Sequence, residues 1–267
     1  MPTYDSQTIV TTAELAAVAA VAYIAPDGVP AIEPVTPLLF RGDPAFTLPF
    51  ARSALVREIS SSPRVAFVFS DSRLAYVGWN SLAVTGRTEV TADPDGELFR
   101  DELLHQELRK FPPDRQLIGN MLLQRENWWY LPRFIVRLAE AEEPRPVARR
   151  AGADYGVLAC EAGGLFTAET VRVEDWDAER IPVRASAGQT FLLPEGVAAA
   201  LFLHDFAVPD MDPRTSFLAR GRMENGRLLV SERRGSPILG KRPGLVARWR
   251  AQRDLERRCK AGIRSGP

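Results

Sequence analysis

A chain of 267 residues has room for one large domain or two of ordinary size. Hydrophobic residues make up 45% and charged residues 25%, a globular balance that excludes a disordered or fibrous chain. Lys plus Arg equals Asp plus Glu at 34 each, so no overall field draws the chain to nucleic acid or to an anionic membrane. Cys160 and Cys259 lie far apart and lack neighbouring Cys or His, so neither a metal-ligand spacing nor a disulfide framework is read, and a reducing compartment is expected. Residues 1–10 carry no basic leader, and the apolar stretch 15–24 is too short and Ala-rich to span a bilayer. The expectation is a cytoplasmic protein with no membrane segment.

In chain order, Thr12 caps a short helix ending near Ala19, and a strand begins at Val21. Pro26-Asp27-Gly28 turns it back as a hairpin into a return strand over 31–40, followed by the turn Arg41-Gly42-Asp43-Pro44. A third strand covers 45–49. Leu55, Val56 and Ile59 fall at helical spacing over 53–60, and Ser61-Ser62-Pro63 closes that crossover helix. The apolar run 64–69 and the alternating run 82–90 read as strands paired in one sheet. A helix follows over 95–110, with Leu98, Phe99, Leu103 and Leu108 along one stripe, and 134–138 supplies a last strand. Residues 140–150, rich in proline and charge, read as a linker, placing a boundary near 150.

The second half echoes the first at an offset of 135 residues: Gly163 falls on Gly28, the strand 200–203 on 65–68, and Gly221-Arg222-Met223-Glu224 on Gly86-Arg87-Thr88-Glu89. The element order repeats too, with strands at 156–160, 167–173 and 217–222, which predicts a degenerate duplication ending near Val230. Three units result: residues 1–150, a degenerate copy over 151–235, and a tail over 236–267. The basic run 248–260 in that tail mixes Arg with Glu and reads as a solvated helix.

The ordered series of an Asp-Gly hairpin, a Pro-containing return strand, Phe46-Thr47, a short helix closing at Ser62-Pro63, the strand 65–69 and Thr85-Gly86-Arg87-Thr88-Glu89-Val90 resembles the FMN-binding split barrels of the pyridoxamine 5′-phosphate oxidase family, over about residues 12–140. The resemblance implies a mainly β fold with short helices, built as tandem split β-barrels. It also implies a flavin or deazaflavin at the interface between barrels. Family members make that interface by homodimerising, and a tandem repeat makes it within one chain as a pseudo-dimer, with further self-association left open. The family's phosphate cluster, Ser-Arg-Lys at the start of the short helix, is represented here by Ser53, Ala54 and Leu55, so two ligands are missing. Arg52 and Arg57 lie within a helical turn and could substitute, with Thr47 and Ser53 supplying hydroxyls. Arg52 reads equally as an exposed helix-start residue. Arg87 contacts the cofactor or pairs with Glu89. The equivalent place in the second half holds Ala187-Gly188-Gln189, so at most one site per chain is expected.

The resulting expectation is an oxidoreductase that carries FMN or a deazaflavin and acts on a small organic substrate, its catalytic residues unassigned and no metal read. The alternative is a split-barrel binding or scaffold protein without flavin, holding haem or another planar ligand, for which His204 beside Asp205 is a candidate ligand or proton shuttle. His105, Trp79, Tyr76 and the aromatic run Trp128-Trp129-Tyr130 read either as structural residues or as cleft-lining ones. No dinucleotide, P-loop or nucleophile-elbow motif is present in the sequence.

Overall fold

The computed structural model describes residues 5–186 and 195–266; the expected second phosphate position at 187–189 lies outside them. Helix α1 (Ser6–Leu15) starts earlier than expected because Asp5, not Thr12, caps it: the Asp5 carboxylate accepts from the Thr8 amide at 2.8 Å and the Thr8 hydroxyl at 2.7 Å. Thr12 is buried, and Ile9 and Ala13 pack into the core of the first sheet.

That sheet holds β1 (Ala19–Ile24), β2 (Pro30–Val35), β3 (Leu38–Phe40), β4 (Asp43–Pro49), β5 (Val65–Phe69), β6 (Leu82–Asp93), β7 (Arg133–Ala141) and the short β8 (Arg145–Pro146). Its order is β2-β1-β5-β6-β7-β4-β3, with β8 on β6, and the pairings are antiparallel. The alternating side chains Val21, Tyr23, Phe46, Val65, Phe67, Val84 and Val136 meet on its inner face and close over α1. Helix α2 (Ser53–Ser61) crosses from β4 to β5 and buries Val56 and Ile59.

The second sheet holds β9 (Tyr155–Ala162), β10 (Leu165–Val173), β11 (Arg180–Ala185), β12 (Ala198–Phe206), β13 (Arg214–Glu224) and β14 (Arg227–Gly235). Its order, β10-β9-β12-β13-β14-β11, is that of the first sheet with β10 standing for β2 and β11 for β4. It is the second half, not the first, whose hydrogen-bonded path closes into a barrel, since β10 pairs with β11, whereas in the first sheet the path stays open between β2 and β3.

Each sheet carries a register irregularity near a glycine. The register shifts between Arg87 and Thr88 in β6 and between Arg220 and Gly221 in β13, and at Gly86 and Gly221 a Cβ would collide with a backbone carbonyl of the next strand, of Glu140 and of Leu229. One strand departs from the constant offset. Gly86 pairs with Val65 but Gly221 pairs with Ala199, so Val65 corresponds to Ala199 rather than Ala200. Burial agrees: Val65 and Ala199 face the two barrel interiors, while Ala66 and Ala200 face outward, as a one-residue slip requires.

The outward faces of the two sheets pack on each other. Ala20, Ala22, Ala66 and Val68 meet Val157, Ala159, Ala200 and Phe202 in one buried cluster. Small side chains let the sheets approach. Charged clamps secure the ends: Arg220 reaches Asp27 at 2.6 Å and the Pro30 carbonyl at 3.0 Å, while Arg73 bridges Asp71 (2.7 Å) and Asp205 (2.6 Å), helped by Arg150.

Between β6 and β7 lies a helical insert: a wide turn over Phe99–Leu103, then α3 (Leu104–Lys110), α4 (Arg115–Ile118) and α5 (Met121–Glu126). The single helix expected over 95–110 is present, helical over 97–110 with one wider π-type turn at Phe99–Leu103. Phe99, Leu103, Ile118 and Trp129 cover the outer side of Leu38, Phe40, Ala45 and Ile135. Helix α6 (Leu245–Ser265) is not free in solvent as expected: Leu255 and Cys259 join the same cluster, and Gly262 lies against the Phe50 carbonyl. No helix among the described residues is long and apolar enough to cross a membrane.

Candidate functional site

Where β4 runs out toward α2, the chain passes along a cavity of about 480 Å³. Its wall includes Glu33, Val35, Thr47, Leu48, Pro49 and Arg52 from the first half and His204, Met211, Arg214 and Ser216 from the second, with Arg258 of α6 at the margin. The cavity therefore lies between the two sheets. Its size is that of a small-molecule site.

Of the five residues proposed from sequence, the structure brings Thr47 and Arg52 to this cavity. Arg52 stands immediately before α2, and its Nη2 donates to Glu33 Oε2 at 2.7 Å. Ser53 opens α2 and Arg57 is exposed on its surface, and neither lines the cavity. Arg87 is exposed on β6, 4.0 Å from Glu140; the considered pair with Glu89 does not form, because Arg137 holds Glu89.

The floor of the cavity is built by the helical insert. Glu107 of α3, Asp114 just before α4, Tyr130, and Arg133 at the start of β7 line it together with Thr47. The Thr47 hydroxyl donates to Glu107 Oε2 at 2.8 Å, and the Tyr130 hydroxyl donates to Asp114 Oδ1 at 3.1 Å. Burial, reinforced by the adjacent Asp114 carboxylate, pushes Glu107 up to about 8, so its carboxyl keeps a proton at neutral pH. Arg133, 1% exposed, is packed between the rings of Phe99 and Tyr130, 4.5 and 4.0 Å from their centroids, and its Nη1 donates to the Tyr130 carbonyl. Its Nη2 is 4.0 Å from both Glu107 and Asp114, beyond hydrogen-bonding reach. That nitrogen and Asp114 Oδ2 have no hydrogen-bond partner among the described residues.

Toward the mouth stand Arg52, Arg214 and Arg258. Arg52 is paired with Glu33 and Arg258 with Asp254, while Arg214 stacks on Phe111, 4.7 Å from its centroid. Met211, buried with a φ of 54°, holds the loop between β12 and β13 against the cavity. His204 lines both this cavity and a small one of about 40 Å³ at the junction of the sheets, and its Nδ1 has no hydrogen-bond partner among the described residues. Burial, with the charges of Arg214, Arg150 and Arg73, holds its pKa down at about 4, so the imidazole is neutral.

Other sequence candidates fall elsewhere. Trp129 is in the core and Trp128 on the surface, with Lys260 over its ring at 5.6 Å. Trp79 is buried and Tyr76 exposed, and His105 is exposed on α3. Glu107 and Arg133 went unrecognised, although Glu107 sits four residues after Leu103 on the apolar stripe of its helix. A charged residue at a buried helical position was the available signal.

No family model and no curated protein sequence matches the chain. Solved structures resemble it at low identity. An F420 reductase is 21% identical with a TM-score of 0.36, covering 54% of this chain and 98% of that one. HutZ, a haem storage protein from Vibrio cholerae, is 13% identical with a TM-score of 0.34, covering 51% and 89%. A protein of the pyridoxinephosphate oxidase family from Clostridium acetobutylicum is 10% identical with a TM-score of 0.32, covering 62% and 95%.

Proposed function

We propose that the chain binds a flavin or deazaflavin, FMN in the simplest case, in the cavity between its two sheets and acts as an oxidoreductase on a small organic molecule in the cytoplasm. One observation carries this reading: a cavity of about 480 Å³ combines arginines at its mouth with a buried floor whose Arg133 Nη2 makes no hydrogen bond among the described residues. These features fit an anionic phosphate at one end and a polar ring at the other. The bound cofactor supplies hydride transfer. The protein's own groups bind and orient it: Arg52 and Arg214 neutralise the phosphate, Thr47 fixes the wall, and Leu48, Val35 and Met211 exclude water. The shared strand order and the close backbone approach at both Gly86 and Gly221 support descent of both halves from one duplicated barrel, a pseudo-dimer with one competent cleft.

A second reading has one specific support. His204, neutral and with Nδ1 unpaired, faces the same cavity and suits an axial ligand of haem. Titration of the purified chain with FMN and, separately, with haemin tests both. Quenching of flavin fluorescence with no haemin-dependent Soret shift supports the flavin reading. A Soret shift that disappears in His204→Ala supports haem instead.

A further inference from the structure

We infer that Arg133 reads the buried end of the occupant of the cavity, donating from Nη2 to a neutral oxygen acceptor such as a ring carbonyl, so that the anionic end of the same molecule faces Arg52 and Arg214. The inference rests on the cofactor reading above and adds an orientation and a reading residue to it.

Arg133 cannot drift toward another partner. Its guanidinium is held between the rings of Phe99 and Tyr130, and its Nη1 is committed to the Tyr130 carbonyl. Each carboxyl beside it is also anchored by one oxygen, Glu107 through Thr47 and Asp114 through Tyr130. Nη2 is left 4.0 Å from both carboxyls without a hydrogen bond among the described residues, in a side chain 1% exposed. A buried charged donor left without a hydrogen bond is costly, and an acceptor entering the cavity lowers that cost.

The charge of the floor selects the kind of acceptor. Glu107 and Asp114 stand 4.0 Å from Nη2; Glu107 keeps its proton, so it is the Asp114 carboxylate that offsets the charge of the guanidinium. A second full anion placed there meets this carboxylate charge, whereas a carbonyl oxygen gains the hydrogen bond without the repulsion. At the mouth the balance is reversed. Arg214 makes no salt bridge among the described residues, and three guanidinium groups share that margin with Glu33 and Asp254.

Riboflavin and FMN separate the two ends, because they share the ring and differ in the phosphate. Fluorescence-quenching titrations of the full chain are expected to show Arg133→Lys weakening both flavins by the same factor, about tenfold or more. Arg214→Ala is expected to weaken FMN and leave riboflavin unchanged. A folded Arg133→Lys that binds riboflavin as the wild type does overturns the inference, since the floor then holds only water. If Arg133→Lys lacks the cooperative melt of the wild type, Asp114→Asn decides. With that carboxylate neutralised, inorganic phosphate should displace riboflavin from the variant but not from the wild type; equal displacement, or none from either, overturns the neutral floor. If neither flavin binds the wild type, the cofactor reading itself fails. Flavin binding that ignores Arg133 and Asp114 removes only the orientation.

Discussion

Gly86 and Gly221 stand in the corresponding strands β6 and β13 of two sheets of one chain, each with the carbonyl of the neighbouring strand, Glu140 or Leu229, where a side chain would begin. Neither position needs a positive φ. What excludes a Cβ is the close approach of the neighbouring backbone, which cannot rotate aside as a flexible side chain can.

Gly86→Ala and Gly221→Ala should therefore each destabilise the chain by about 1–3 kcal/mol through overpacking, measured as a lower urea midpoint. Gly163→Ala is the control, with φ of 60° but nothing within 4 Å of its Cβ. It should cost about 1 kcal/mol from backbone conformation alone. Tolerance of alanine at either glycine would remove the evidence for a shared constraint.

The contact between the sheets predicts a second result. Phe202 is 3% exposed in the cluster joining the halves, so Phe202→Ala should cost about 3–5 kcal/mol. Leu165, 60% exposed at the tip of the β9–β10 hairpin, should cost less than about 0.5 kcal/mol when replaced by Ala. Thermal melts compare the two, and similar losses would contradict a packed interface.

Much of this fold was legible because its cues are local. Pro26-Asp27-Gly28 makes its turn from its own residues, the alternation over 82–90 needs one buried face, and Ile59 with Val56 marks α2. The likeness of the two halves was visible at Gly86 and Gly221, but not the one-residue drift of β12, because short Ala-rich strands align about equally well in either register. Closure was not legible either, since pairing of β10 with β11 depends on how far a sheet coils rather than on any one residue. Of the site, Thr47 and Arg52 could be found from the β4–α2 junction. Arg133, Arg214 and Arg258 come from distant segments that only tertiary packing assembles.

Glu107 makes stability depend on pH with a definite sign. Its pKa in the folded chain is raised, from 4.5 to about 8, so the folded form retains a proton that the unfolded chain releases across that window. The contribution is complete below 4.5 and is lost as pH rises toward 8. Glu107→Gln, which stays neutral, should flatten this decline, and urea midpoints on both sides of the window measure it. An unchanged slope would show that Glu107 does not keep its proton.

His204 acts on the acid side. Its pKa is lowered from 6.5 to about 4, so the unfolded chain takes up a proton first as pH falls, and stability present above 6.5 is lost toward 4. His204→Gln should shift the acid unfolding midpoint to lower pH. A variant that unfolds at the same pH as the wild type would place the sensitive group elsewhere.

At the mouth of the cavity, Arg52→Ala and Arg214→Ala should each weaken FMN binding by about 1–2 kcal/mol, roughly 5- to 30-fold. Arg52 gives the smaller loss because Glu33 already holds it. Equilibrium dialysis measures both, and equal affinity of wild type and double variant for FMN would move the phosphate away from these arginines.

Titrating the full chain with FMN while following flavin fluorescence asks most directly whether the cleft between the two sheets is a cofactor site. Quenching should saturate at a single FMN per chain and weaken in Arg214→Ala. Fluorescence that never departs from that of free FMN, with enough protein present to detect micromolar affinity, would contradict it.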